Sequence, residues 1–421
     1  MRIGIRLVLA TLGCGLAAGT AAADMLSALL PAGVPGYGTS PGVTVASRLR
    51  PENQPAGIRA GSFVLHPMLE AAAGYDSAPF GASSTGSWLF DTHPSLLVGS
   101  DWSRDALGAF VSVDDRRYLA TPAQDRTDYT ISLGGSLDVA RSRLTLSAAH
   151  LLQHQDRSEI GALLTDRPVA YRLDDARAAF AIPAGRWTIT PSLQVSAWHF
   201  GDATLDGAPL NQTYRDRTLV EGSLTLDYAL APRRDLLLEA RGLGQHYLHA
   251  QPNQPQRDST GFQLLAGFAD DDGGMWRYRV LAGVESRSFA ASAYQTHTAA
   301  IGEAELAWNP SGLTTVTATL TRSMEDAAQE GVAGFTYTAA KLAIDHEYRR
   351  DVLLHGSATV QRADFLPNGG YQTGYGAGAG VTWLVNRTVH LGATYNVSVL
   401  HGGYLGDYTR QTGLLTLRLG M

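Results

Sequence analysis

The stretch GTSPG, Gly38 to Gly42, has the G-x-S-x-G spacing with which hydrolases expose a nucleophilic serine. That chemistry needs a strand before the serine and a helix after it. Here the flanks are rich in Pro and Gly and carry neither pattern, so the match is read as chance. His150 and His154 have the i, i+4 spacing of a metal pair on a helix, but they sit in a strand pattern that points both outward beside Leu144, Leu146 and Leu152. His246 and His249 fall on opposite faces of a strand. Asp270-Asp271-Asp272-Gly could offer oxygens to a calcium ion, yet an acidic turn with glycines accounts for it equally. Ser83, Ser84 and His93 are the remaining side chains for surface hydrolysis. No phosphate loop and no dinucleotide fingerprint occurs. These residues give no catalytic set, no metal site and no cofactor, and the expectation is that the protein is not an enzyme.

The chain has 421 residues and opens MRIGIRLVLATLGCGLAAGTAAAD, with Arg2 and Arg6 ahead of a short apolar run that ends on Ala21-Ala22-Ala23. That is the layout of a cleaved secretory signal, residues 1–23. Cys14, the single cysteine, would leave with it, so no disulfide or thiolate chemistry is expected. Loss of Arg2 and Arg6 takes the formal charge from −6 to −8, which speaks against a nucleic-acid partner. Of the 33 basic residues, Lys341 is the one lysine. Mean hydropathy is −0.08 and no later stretch approaches 18 apolar residues, which excludes a helical membrane protein. A transmembrane barrel is not excluded, because its strands need only alternate.

Residues 24–61 are rich in Pro and Gly and lack periodicity; they read as a segment that stays in the periplasm or enters a lumen. From Ser62 to Met421 the pattern has period 2. In TDYTISLGGSLDVA, Tyr129, Ile131, Leu133, Leu137 and Val139 alternate with Asp128, Thr130, Ser132, Ser136 and Asp138. Scanned this way, residues 62–421 give eighteen strands of roughly 11–16 residues, long enough to cross a bilayer at a tilt. Eight tight turns (SDWSRD and NPSG among them) alternate with nine longer links. Short turns on one side and longer loops on the other, with an even strand number, define an all-β transmembrane antiparallel up-and-down barrel with both termini in the periplasm.

In such a barrel the apolar face meets lipid and the polar face lines the lumen. The expected lumen-lining charges are Glu239, Arg241, Arg277, Arg279, Glu285, Arg287, Glu303, Glu305, Lys341, Asp345, Glu347 and Arg418. They either set the selectivity of a wet pore or pair with one another to satisfy its wall. The alternation runs to the last residue: Leu415, Leu417, Leu419 and Met421 would face lipid, and 409–421 would close the barrel by pairing with 62–74.

Two stretches, SRLRPENQPAGIRAGSFVLHPMLEAAAGYD (47–76) and SDWSRDALG (100–108), resemble the opening of the outer-membrane β-barrel porin type 2 family of proteobacteria. Arg59, Gly61, Ser62, Phe63, Asp101, Trp102, Ser103 and Arg104 match its pattern. The resemblance implies an integral outer-membrane protein, exported by its signal and inserted by the barrel-assembly machinery among lipid and lipopolysaccharide. It also implies passage of hydrophilic solutes or polysaccharide, since some members are encoded with exopolysaccharide export systems. Periplasmic polysaccharide-export proteins are then possible partners. A non-conducting barrel, plugged by residues 24–60 and acting through its loops, is the alternative from another class. Two departures stand out: Ser77-Ala78-Pro79-Phe80 replaces the usual acid or amide after Gly-Tyr-Asp, and the chain ends on Met421 instead of an aromatic.

Overall fold

The computed structural model describes residues 29–31, 33–37, 43–81, 85–250, 254–271, 273–366, 370–402 and 407–421. The 1–23 signal, the GTSPG stretch, Ser83, Ser84 and Asp272 lie outside them. Eighteen long strands form one closed antiparallel sheet. The first nine are β1 (Phe63–Asp76), β2 (Ser87–Ser100), β3 (Ala106–Tyr118), β4 (Arg126–Val139), β5 (Ser142–Gln155), β6 (Val169–Ala184), β7 (Trp187–Phe200), β8 (Arg217–Ala231) and β9 (Arg234–Tyr247). The second nine are β10 (Ser259–Asp270), β11 (Trp276–Phe289), β12 (His297–Ser311), β13 (Thr314–Glu325), β14 (Gly334–Arg349), β15 (Val352–Leu366), β16 (Tyr371–Leu384), β17 (Val389–Gly402) and β18 (Tyr408–Gly420). Each pairs with its chain neighbour, the topology that short hairpin links impose.

β1 pairs with β18, from Met68 opposite Gly420 to Asp76 opposite Thr412. The seam therefore forms where the terminal alternation points, set a few residues further along β1 than the 62–74 expectation. Met421 lies just past the strand, its N–H donating to the Pro67 carbonyl at 3.3 Å. Closure leaves no edge, as lipid requires, because an unpaired backbone group in hydrocarbon costs several kcal/mol.

The alternation in sequence becomes an apolar outside and a polar inside. Ile131, Leu133, Leu264, Val284, Leu342, Ile344 and Leu415 stand exposed on the outer face. Aromatic pairs mark the outer wall near the short turns: Trp187 with Tyr228, and Trp276 stacked on Trp308 with centroids 5.1 Å apart. Tyr247, whose position at a strand end suits the same girdle, turns inward instead and lies buried under the Arg257 guanidinium.

At the periplasmic end, Ile58–Ala60 folds back on the start of β1, with Gly61 at φ +61° making the turn. This hairpin brings the two halves of the family-like motif together. Arg59 pairs with Asp101 at 2.7 Å, the Asp101 N–H donates to the Ser62 carbonyl, and Phe63 meets Trp102 edge to face. Arg104 approaches Asp138 at 4.0 Å. Ser103 lies in the same turn and makes no contact that bears on it.

Candidate functional site

The site is the lumen, and its wall follows from strand parity. Arg241 on β9 bonds Glu303 on β12 at 3.0 Å, although two strands lie between them. Side chains can span that gap only across the concave face. Glu239, Arg241, Arg279 and Glu303 form one network there, over an apolar floor of Leu237, Leu265, Leu281 and Ile301. Arg279 is paired in register with Glu305 but reaches diagonally to Glu303. Glu285 and Arg287 are a buried pair at 2.8 Å. Arg277 faces Asp271, Asp345 bonds His355, and Arg418 bonds Glu70 across the closing seam at 2.6 Å. Of the twelve charges expected on the wall, ten therefore have a charged or imidazole partner. Glu305 and Lys341 have none among the described residues, and both are exposed inside the barrel.

Two external loops narrow the mouth. Residues 156–168, between β5 and β6, reach across to the opposite wall. Asp156 and Ser158 bond Arg410, the Gly161 N–H donates to Gln372 at 2.9 Å, and Ile160 is buried with Phe335, Tyr337 and Tyr408. The Asp156 carboxyl is buried, which would raise its pKa, but Arg410 and Arg126 hold it well below the ordinary carboxylate range. Residues 326–333, between β13 and β14, lean inward from the other side. The Ala327 and Ala328 carbonyls accept from Arg257 and Tyr214, and Asp326 pairs with Arg217 and Arg287. The loops touch where Gln329 donates to the Gly161 carbonyl. Arg215 is bonded by Gln155 and Gln212 and stacked on Phe200; burial, with Arg217 and Arg257 nearby, pulls it down to about 10.

The N-terminal segment enters the lumen. Gly33 to Gly36 cross the inner faces of β2 to β5, where Gly108 and Gly134, paired in register, leave a groove. A Cβ on Gly134 would stand 2.0 Å from the Pro35 carbonyl oxygen, and one on Gly108 2.3 Å from that of Gly33. Leu30, Val34 and Tyr37 are buried there in one cluster with Leu97, Phe110, Leu151, Leu173, Trp198 and Phe200. The Tyr37 hydroxyl donates to the buried Asp175 carboxylate at 3.0 Å, and burial together with that carboxylate pushes its pKa well up. Further along, the chain follows the periplasmic rim. The Val45 N–H bonds Thr315, Arg48 and Arg50 both pair with Glu347, and Asn53 bonds the Leu384 carbonyl and accepts from His390. The two anchorages lie on opposite halves of the barrel.

The sequence reading offered lumen entry by residues 24–61 as one of two placements; it found neither the contacts that seat Leu30, Val34 and Tyr37 nor the Arg410–Asp76 pair at 2.6 Å and the loops it holds. One signal was present: Gly108 and Gly134 both fall on the polar face of strands that are otherwise well filled.

A closed 18-strand antiparallel barrel with an apolar exterior, a charged interior and short turns at one end defines a porin-like integral protein of the outer membrane. The chain belongs to the family described as Putative beta-barrel porin 2, whose model matches residues 50–420. Among solved structures it is similar to OpdK of Pseudomonas aeruginosa, at 11% identity over 85% of this chain and 99% of that one, TM-score 0.44. It is also similar to OccK2 (OpdF) of Pseudomonas aeruginosa, at 13% identity over 85% and 98%, TM-score 0.46. A BenF-like porin of Pseudomonas fluorescens Pf-5 matches at 9% identity over 86% and 99%, TM-score 0.44. No curated protein matches the chain.

Proposed function

We propose that the barrel is a passive, non-enzymatic channel passing small hydrophilic solutes across the outer membrane. One observation carries this. Along β8 to β14 the interior wall carries charged side chains open to water, with Glu305 and Lys341 exposed and Glu221 half-buried inside the barrel, while the N-terminal segment and the external loops fill the rest. Eighteen strands enclose more space than side chains fill, and conduction needs weak, distributed contacts. Purified protein in a planar bilayer should give stable conductance steps. Silence from both the full chain and a Δ24–42 variant sinks the channel reading.

The seated segment supports a second reading, a barrel that is closed at rest and acts through its external loops. Conductance from Δ24–42 alone would favour it. A polysaccharide conduit working with periplasmic export proteins would require residues 29–37 to leave the lumen. Polymer export that rises on deleting 24–42 would favour that reading. Signal-dependent export and insertion by the barrel-assembly machinery among lipopolysaccharide are part of the same proposal.

A further inference from the structure

The inner wall carries many charges, and nearly all are neutralised in place. Arg410 with Asp76, Arg116 with Asp91, Arg177 with Asp175, Arg418 with Glu70 and Arg287 with Glu285 are direct pairs. The half-exposed Arg279 belongs to a network of two arginines and two glutamates. A neutral pair presents a dipole to a passing ion, and its field dies within a few ångströms of water.

Five charged side chains on the lumen-facing parity of the strands make neither a hydrogen bond nor an ion pair among the described residues: Glu221, Asp227, Asp235, Glu305 and Lys341. Strand parity puts them inside, because their neighbours Val220, Leu224, Leu236, Leu238, Leu342 and Ile344 stand exposed on the outer face. They lie on β8, β9, β12 and β14, the part of the wall opposite the seated N-terminal segment. Lys341 sits two strands from Glu305, with Thr319 paired in register between them. Four carboxylates against one ammonium leave this strip at a formal −3, with Glu305 and Lys341 exposed and Glu221, Asp227 and Asp235 half-buried. The buried guanidiniums without a carboxylate bond, Arg215 and Arg257, are held at the external mouth, where Asp216, Asp258 and Asp326 also lie.

We infer that the channel is cation-selective, and that Glu221, Asp227, Asp235 and Glu305, opposed by Lys341, determine that selectivity. The inference rests on the channel reading above. It concerns the field along the open path and requires no bound ion. A fixed charge on a low-dielectric wall concentrates counter-ions in the water beside it, and each carboxylate changes the cation-to-anion permeability ratio about twofold at moderate salt. Solutes carrying an ammonium or guanidinium group should be favoured over carboxylates of the same size.

The test is the reversal potential of the full chain in a planar bilayer under a tenfold KCl gradient, with folding checked by heat-dependent gel mobility. The wild type should prefer potassium over chloride. The triple variant Glu221→Gln, Asp227→Asn, Glu305→Gln leaves Asp235 against Lys341 and should bring the ratio down roughly eightfold, towards unity. Lys341→Gln should move it the other way, up about twofold. A conducting wild type that is unselective or prefers chloride overturns this inference alone, as does a folded triple variant with unchanged selectivity. If the full chain is silent and Δ24–42 conducts, the same ratios are read on Δ24–42 with the same outcomes; silence from both overturns the channel reading and this inference with it.

Discussion

Gly134 faces the lumen with the Pro35 carbonyl oxygen 2.0 Å from where its Cβ would stand, so Gly134→Val cannot coexist with the seated N-terminal segment. The obstacle is backbone on both sides, and no side-chain rotation relieves it. Unseating removes Leu30, Val34 and Tyr37 from their cluster, at about 2 kcal/mol each. Together that is four orders of magnitude in the seated-to-unseated ratio, by roughly 1.4 kcal/mol per tenfold. The barrel itself should be spared, since Gly134 pairs through its backbone and a β-branched residue suits a strand. Eighteen strands about 4.8 Å apart and tilted by about 40° give a backbone diameter of about 35 Å, and about 24 Å between facing side chains. A segment about 10 Å thick, lying across four strands, covers somewhat under half of that opening. Unitary conductance should therefore rise about 1.5- to 2-fold. A second readout is chemical: in a Val34→Cys background the thiol should resist a hydrophilic maleimide, and adding Gly134→Val should expose it. Folded Gly134→Val protein with wild-type conductance and a still-protected thiol would refute the reasoning.

Glu347→Gln leaves the buried Arg50 and the neighbouring Arg48 without their carboxylate, at a cost of about 3 kcal/mol. Trypsin should then cut after Arg48 at least tenfold faster than in the wild type, the Arg50–Pro51 bond being refractory to it. At the seam, Arg418→Glu sets two acids face to face and should lower the thermal midpoint of barrel unfolding, while the exchange Glu70→Arg with Arg418→Glu should recover much of the loss. The inward loop 156–168 should respond to acid. Asp156 is held low by Arg410 and Arg126 despite its burial; Asp166 is held low chiefly by the Gly207 N–H. A depressed carboxyl stabilises above its ordinary value near 3.8 and is lost as the pH falls through the lower folded value, so the loop should stay docked at neutral pH and loosen only below about pH 3.8. Flicker in the single-channel current should increase in that window and be absent at pH 5.

The barrel was legible because lipid makes the rules simple. Segments such as 127–140 must alternate to present one face to hydrocarbon, and a closed sheet forces the final LLTLRLGM to pair with β1. The inward lumen face of β11, with Arg277, Arg279, Glu285 and Arg287, was readable on the same grounds. Its partners were less so. Arg279 stands in register with Glu305 yet pairs with Glu303, a choice fixed by side-chain reach and the apolar floor under Leu281. Lumen entry by residues 24–61 was one of two placements open in the sequence; which residues seat, and where, was not legible, because nothing periodic marks a segment that lies against a finished wall. Leu30, Val34 and Tyr37 read as stray apolar residues in a Pro- and Gly-rich stretch. Ile160 does the same in a polar loop. Their burial depends on strands that arrive later in the chain.

The strap along the periplasmic rim bears on the order in which the barrel can be made. Every strand pairing except the seam joins neighbours in the chain and can form as soon as both strands exist. The seam must bring together residues some 340 apart, and the strap spans a comparable distance. Residues 45–53 hold Thr315, Glu347, Leu384 and His390, at separations of 270 to 337 residues, and Pro55 packs against Gly420 beside β1. Once the late strands have docked on this strap, β18 is already beside β1, and closure becomes a short-range event. The segment that would narrow the finished pore is thus continuous with the splint on which its last two edges meet.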